Sequence, residues 1–302
     1  LRTIELGESE FVDNTLDNQH KMTIKATWGG GYDNRQNVVI DYKVDESLCN
    51  ELYFKANDQP LVPMPASYYK LASNQISIPK GQIMGGVEVQ LTDAFFADEK
   101  SVGENYVIPI LMTGVQGADS ILQGKPVVEN PALTNSENWS VQPQNFVLYA
   151  VKYVNPWHGQ YLRRGIDNAT IDGTSKVIVR HEQFVEKDEA VDISTESMKD
   201  NLLTLKTKDA AGNDISYTIR MSFTEDGVCT LSSGSQNAVV SGNGKFVSKG
   251  EKNSLGGKDR NAIYLDYTVN LTENNIQLAT KDTLVLRTRN VQGGKAFEVI
   301  RK

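Results

Sequence analysis

Trp157, His158, Tyr161 and Arg163 fall close together near the midpoint of the chain. A flat indole can stack on a sugar ring, and an imidazole, a phenol and a guanidinium beside it can hydrogen-bond the ring's hydroxyls. Pro156 removes a backbone donor and Gly159 permits unusual dihedrals, while Gln160 to Arg164 alternate as in a strand with two differently used faces. The segment therefore reads both as a possible binding constellation and as the opening of a second domain. Packing is the competing role for Trp157, since large aromatics most often fill cores.

Two further aromatics lie in loop-like sequence. Tyr32 follows Gly29-Gly30-Gly31 and precedes Asp33-Asn34-Arg35, a turn rich in polar groups. Trp139 stands in a long Gly-, Pro- and Asn-rich stretch from Gly114 to Gln144, and loops of that length commonly carry function. Either ring could face a ligand or fold over its own turn. Phe95-Phe96 reads as a cap on the first domain.

Catalytic and metal chemistry find little support. A glycosidase needs two carboxylates across a cleft, but Glu186-Lys187-Asp188-Glu189 reads as a solvated hairpin tip. Asp266 has apolar and aromatic neighbours, so its burial would raise its pKa or demand an arginine partner. His20, His158 and His181 are scattered, so no transition-metal site is expected, while calcium held by loop oxygens stays open. No helix follows Gly29-Gly30-Gly31, which argues against a phosphate loop, and no serine nucleophile elbow is present. No catalytic residue, metal or cofactor is expected.

Elements that could position these groups are all strands. Val38, Ile40, Tyr42 and Val44, then Val87, Val89 and Leu91, recur with period 2. Six or seven short runs in the first half suit an immunoglobulin-like β-sandwich over residues 1–150. From Gln160 to Arg289, eight or nine longer runs separated by turns such as Glu225-Asp226-Gly227 form a meander. That number fits a lipocalin-like up-and-down β-barrel over residues 151–302. The 302 residues carry a net charge of −7 with dispersed lysines and arginines, which disfavours nucleic acid. No run approaches the ~18 apolar residues of a membrane-spanning helix. Cys49 and Cys229 lie far apart and read as buried thiols rather than a disulfide.

Several stretches resemble a family of two-domain surface lipoproteins of Bacteroidetes. Arg2-Thr3-Ile4-Glu5-Leu6-Gly7, Met64-Pro65-Ala66-Ser67-Tyr68-Tyr69 and Ile76-Ser77-Ile78-Pro79-Lys80-Gly81 are similar to its immunoglobulin-like N-terminal domain. The Trp157 segment, Gly256-Gly257-Lys258-Asp259-Arg260-Asn261 and Tyr264-Leu265-Asp266-Tyr267 resemble its lipocalin-like C-terminal domain. The resemblance implies lipid anchoring on the extracellular face of the outer membrane, in glycan-utilisation loci, with an oligosaccharide or polysaccharide as partner. The leader and lipid-bearing cysteine of that family are absent here, so membrane attachment is an expectation from the resemblance alone. In such barrels a tryptophan at the first strand plugs one end beneath an arginine from the last, a role open to Trp157 with Arg287 or Arg289. A non-catalytic glycan-binding protein is the leading expectation. The alternatives are an adhesin-like module that contacts other outer-membrane surface proteins, and a glycoside hydrolase accessory protein.

Overall fold

The computed structural model describes residues 1–31 and 34–302, and is almost entirely β. The chain divides into two compact units, Leu1–Tyr153 with Gln292–Lys302, and Val154–Val291.

In the first unit, seven strands form a hydrogen-bonded path that builds a curled sheet. Their order is Arg2–Glu5, Phe146–Val154, Tyr106–Gln116, Val38–Val44, Gln75–Ile78, Met84–Leu91 and Lys21–Thr27. The period-2 positions Val38, Ile40 and Tyr42 are buried, as are Val87, Val89 and Leu91, so alternation chose the core face. At Pro79 the chain turns back, with the Gln82 N–H donating to the Pro79 carbonyl at 3.0 Å and Gly81 at φ +80°. Phe95 and Phe96 are buried edge-to-face against one another and against Tyr153, whose hydroxyl donates to the Phe96 carbonyl at 3.0 Å.

The expected boundary near residue 150 falls inside a strand. Phe146–Val154 runs unbroken, pairing Phe146 with Leu111 through to Ala150 with Val107, and the division comes after Tyr153. The chain's last residues also leave the second unit. Val299–Arg301 pairs antiparallel with Leu52–Phe54, and Phe297 and Val299 cover the buried cluster of Cys49, Leu52, Phe54 and Leu61. Burial of that apolar surface is the reason for the return.

The second unit is a closed eight-stranded barrel: Gly159–Ile171, Glu189–Thr195, Asp200–Lys208, Asp214–Phe223, Val228–Ser233, Val239–Glu251, Arg260–Leu271 and Ile276–Thr288. Closure comes from the last strand pairing back on the first, from Gln160 with Thr288 to Ile171 with Ile276. A further strand, Thr174–Arg180, pairs with the second half of the first strand. Gly227, at φ +81°, makes one of the tight hairpins, with Thr224 N–H donating to Val228 O at 2.9 Å. The interior is packed with side chains, including Leu203, Ile219, Met221, Ile263 and Leu284. It is a core rather than a hollow.

Candidate functional site

Odd-numbered residues of the first barrel strand point inward, and this decides the fate of the segment singled out in the sequence. Trp157 is 7% exposed and its ring stacks on Phe223 with centroids 4.2 Å apart and planes 8° from parallel. The Tyr161 hydroxyl, fully buried, donates to the Trp157 carbonyl at 2.9 Å, and burial pushes its pKa up. Arg289 donates to the carbonyls of Asn155, at 2.8 Å, and Pro156, which fastens the turn before Trp157 to the residue that follows the last barrel strand. Arg287 instead donates to Gln160 Oε1 at 3.2 Å on the exposed side. His158 accepts from the Thr195 N–H through Nδ1 at 3.3 Å. Trp157, Tyr161 and Arg163 share the barrel interior, so none can present itself to a glycan from solvent without the core opening.

Arg163 anchors a polar layer across the middle of that interior. Its Nε donates to Asp282 Oδ2 at 2.8 Å and its Nη1 to Glu189 Oε2 at 3.1 Å. Tyr267 donates to the same Asp282 oxygen at 2.7 Å, Arg180 bridges Asp282 and Asp167, and Thr280 donates to Asp167 at 2.7 Å. Burial works against the Arg163 charge, but Tyr267 and Asp282 more than offset it and hold the guanidinium protonated. Two arginines face two buried aspartates, so the layer is balanced within itself, with Glu189 at its exposed margin. Such a layer fixes how the barrel packs and leaves no charge seeking a ligand.

The acidic run at 186–189 is only partly solvated. Asp188 is buried, paired with Arg164 Nε at 2.6 Å and accepting the Glu182 N–H at 2.7 Å. Asp266 corrects the expectation in the other direction: its strand turns it outward, exposed, 3.3 Å from Lys281. Cys49 and Cys229 are free and buried, and desolvation pushes both thiols up to about 12. Tyr32 lies outside the described residues.

An accessible site lies in the first unit, where an open cleft of about 650 Å³ is formed by three stretches of chain. One is the turn Glu46–Cys49, capped by Asp45, which accepts the Ser47 N–H at 3.2 Å and hydroxyl at 2.6 Å. These bonds, with Lys43 at 3.0 Å, hold the Asp45 carboxyl below its ordinary range. The second is the returning C-terminal strand, which brings Arg301 into an ion pair with Glu51. Pro131–Thr134 forms the third side and is held by Trp139, whose Nε1 donates to the Ala132 carbonyl at 2.9 Å. The Ala132 N–H in turn donates to Asn138 Oδ1 at 2.9 Å. Trp139 is thus a half-buried prop behind the wall of the cleft.

Sequence reasoning did not single out Asp45, Asn50, Glu51 or Arg301. Asp45-Glu46-Ser47 carries a legible capping pattern. Nothing local joins Glu51 to a partner 250 residues away.

Fold and sites together define an all-β protein built from a curled-sheet unit and a filled, closed barrel. The second region matches the family model of a domain of unknown function, DUF5627, over residues 156–290, and an N-terminal-domain model matches residues 2–119. A crystal structure from Bacteroides ovatus, of a structural-genomics protein of unknown function, is 83% identical over 100% of this chain and 96% of its own, with a TM-score of 0.97. The chain belongs to the same family as that protein. A second Bacteroides ovatus structure, provisionally named a carbohydrate binding protein, is 10% identical at a TM-score of 0.26, covering 98% of this chain and 95% of that one. A likeness that slight carries no argument. No curated protein matches the chain.

Proposed function

We propose that this protein is a non-catalytic glycan-binding protein of a bacterial outer surface, lipid-anchored, and that it takes its ligand in the cleft of the first unit. The observation that carries the reading is the composition of that cleft. The Arg301 guanidinium, the Asp45 and Glu51 carboxylates and the Asn50 amide offer the donors and acceptors that sugar hydroxyls need. Pro131 and Leu133 supply an apolar shelf for the C–H face of a ring. The filled barrel supports placing the ligand on the surface rather than inside. Asp45 does not suit the general acid of glycoside hydrolysis, which must stay protonated near neutral pH, because its carboxyl is shifted the opposite way. Asp17, whose carboxyl burial pushes up, is tied to Arg2 and to the Glu5 N–H and does not line the cleft. The surface location rests on the family resemblance.

Titration calorimetry against a panel of host and plant polysaccharides tests the proposal. Binding that falls about tenfold or more in Arg301→Gln, as expected when a charged hydrogen bond is removed, supports it. No heat with any glycan, or steady release of reducing ends during incubation, overturns it.

A second reading has its own observation. The excursion that carries Trp139 exposes Leu122, Val127, Val128 and Val141, all more than 40% accessible. Clustered exposed aliphatics suit contact with another protein. Retention of the chain on a neighbouring surface protein, lost in Val127→Asp and unaffected by glycan, would favour an adhesin-like role.

A further inference from the structure

The barrel carries a second concavity, of about 470 Å³, on its outer wall beside two hairpin turns. Thr170, Gln277 and Asn270 stand in register on three adjacent strands. The next row, Ala169, Leu278 and Val269, is buried in the barrel core, so alternation sets the polar row on the outer face. Strands about 4.8 Å apart place these side chains as a ladder of amide and hydroxyl groups. Two turns form the rim: Asp172-Gly173, and Thr272 to Asn275. The Asp172 N–H donates to the Asn275 carbonyl at 3.0 Å, which ties one turn to the other. Asp172 and Asn275 both adopt left-handed backbone, at φ +47° and +50°, so the rim has one defined shape.

Chemistry at this place differs from that of the first-unit cleft. Apart from Asp172 the lining is uncharged, and it holds no arginine or lysine. Among the described residues, none hydrogen-bonds the side-chain amides of Asn270, Asn275 or Gln277. Two amides elsewhere on the barrel serve the fold: Asn237 donates to the Ser216 carbonyl at 2.8 Å, and Asn213 to Asp209 at 3.0 Å. Each free amide offers donors and an acceptor together, the complement of a sugar hydroxyl, which also does both.

We infer that this depression is a second binding site, on the barrel, for an uncharged oligosaccharide segment, and that Asp172 turns away acidic ones. Thr170, Asn270 and Gln277 contact successive hydroxyls along the segment, and Asn275 closes the rim. A carboxylate or sulfate on the ligand meets the Asp172 charge with no cation to offset it. The site is independent of the cleft in the first unit.

Calorimetry on the full chain decides it, with mannohexaose, xylohexaose, maltohexaose and a galacturonate hexamer as probes. At least one neutral probe binds and the galacturonate hexamer does not bind there. Asn270→Ala with Gln277→Ala weakens the neutral probe about tenfold or more, as two lost hydrogen bonds imply. Arg301→Gln leaves it unchanged. Asp172→Asn, which removes charge at nearly constant shape, keeps neutral binding and admits the galacturonate hexamer. The inference is overturned if no neutral probe binds, if the double variant binds as well as the parent, or if only Arg301→Gln abolishes binding. That last outcome would leave the first-unit cleft standing as the glycan site.

Discussion

Asp282 is the residue on which the barrel's interior charge depends most, because it accepts from Arg163, Arg180 and Tyr267 at once. Asp282→Asn keeps the shape but leaves two guanidinium groups short of a counter-charge. Breaking one partner of a buried pair costs about 3–5 kcal/mol, so a urea midpoint lowered to that extent is expected. Asp98 offers a contrasting case in the first unit. Burial alone would raise its carboxyl, but the Tyr106 hydroxyl, the Lys100 N–H and the Tyr68 hydroxyl outweigh that and hold its pKa below 3.8. With the folded value below the unfolded one, its contribution is complete above pH 3.8 and is lost as pH falls through the folded value. Asp98→Asn should therefore flatten the acid side of the stability curve while changing its neutral side through the lost hydrogen bonds. Thermal melts between pH 2 and 7 check this.

Two elements have remote partners that local sequence does not reveal. The C-terminal stretch looks like the end of the barrel because it follows the last barrel strand directly. It pairs instead with Leu52–Phe54, and the Phe297 ring lies 5.2 Å from that of Phe54. Phe297→Ala should cost about 2 kcal/mol, short of the full-core range because the ring is only partly buried, and should weaken cleft binding through the displaced Arg301. Denaturation and ligand titration of the same variant measure both. The loop at 114–144 was legible as an unusual element, yet not as a wall. Trp139→Phe removes the bond to the Ala132 carbonyl and keeps most of the ring. It should loosen binding in the cleft by a few-fold, at about one neutral hydrogen bond, with little change in stability.

Across the whole molecule, the two thiols report on the two units, Cys49 in the first and Cys229 in the second. Both are buried with pKa values pushed up to about 12, so the native protein should resist iodoacetamide at pH 8. In rising urea each thiol should become reactive as its own unit opens, and mass spectrometry of the two tryptic peptides would separate those openings. Equal labelling of either cysteine in the absence of urea would contradict the packing described. The same experiment in the presence of a bound glycan would show which unit the ligand stabilises.

Period-2 alternation was sufficient, in the sequence alone, to establish an all-β chain, the strand Val38–Val44 and the meander of the second half. Alternation is local, and local backbone geometry produces it. Ring closure was a matter of strand number and was also legible. Which way the constellation around Trp157 faces was not, because a one-residue choice of register sends Trp157, Tyr161 and Arg163 either to solvent or to the core, and only packing selects between them. Nor could the cleft be read, since Asp45, Pro131 and Arg301 meet only after the chain has folded back on itself. Sequence determined the elements; tertiary structure decided which of their residues remain open to a ligand, because burial is a property of the assembled surface.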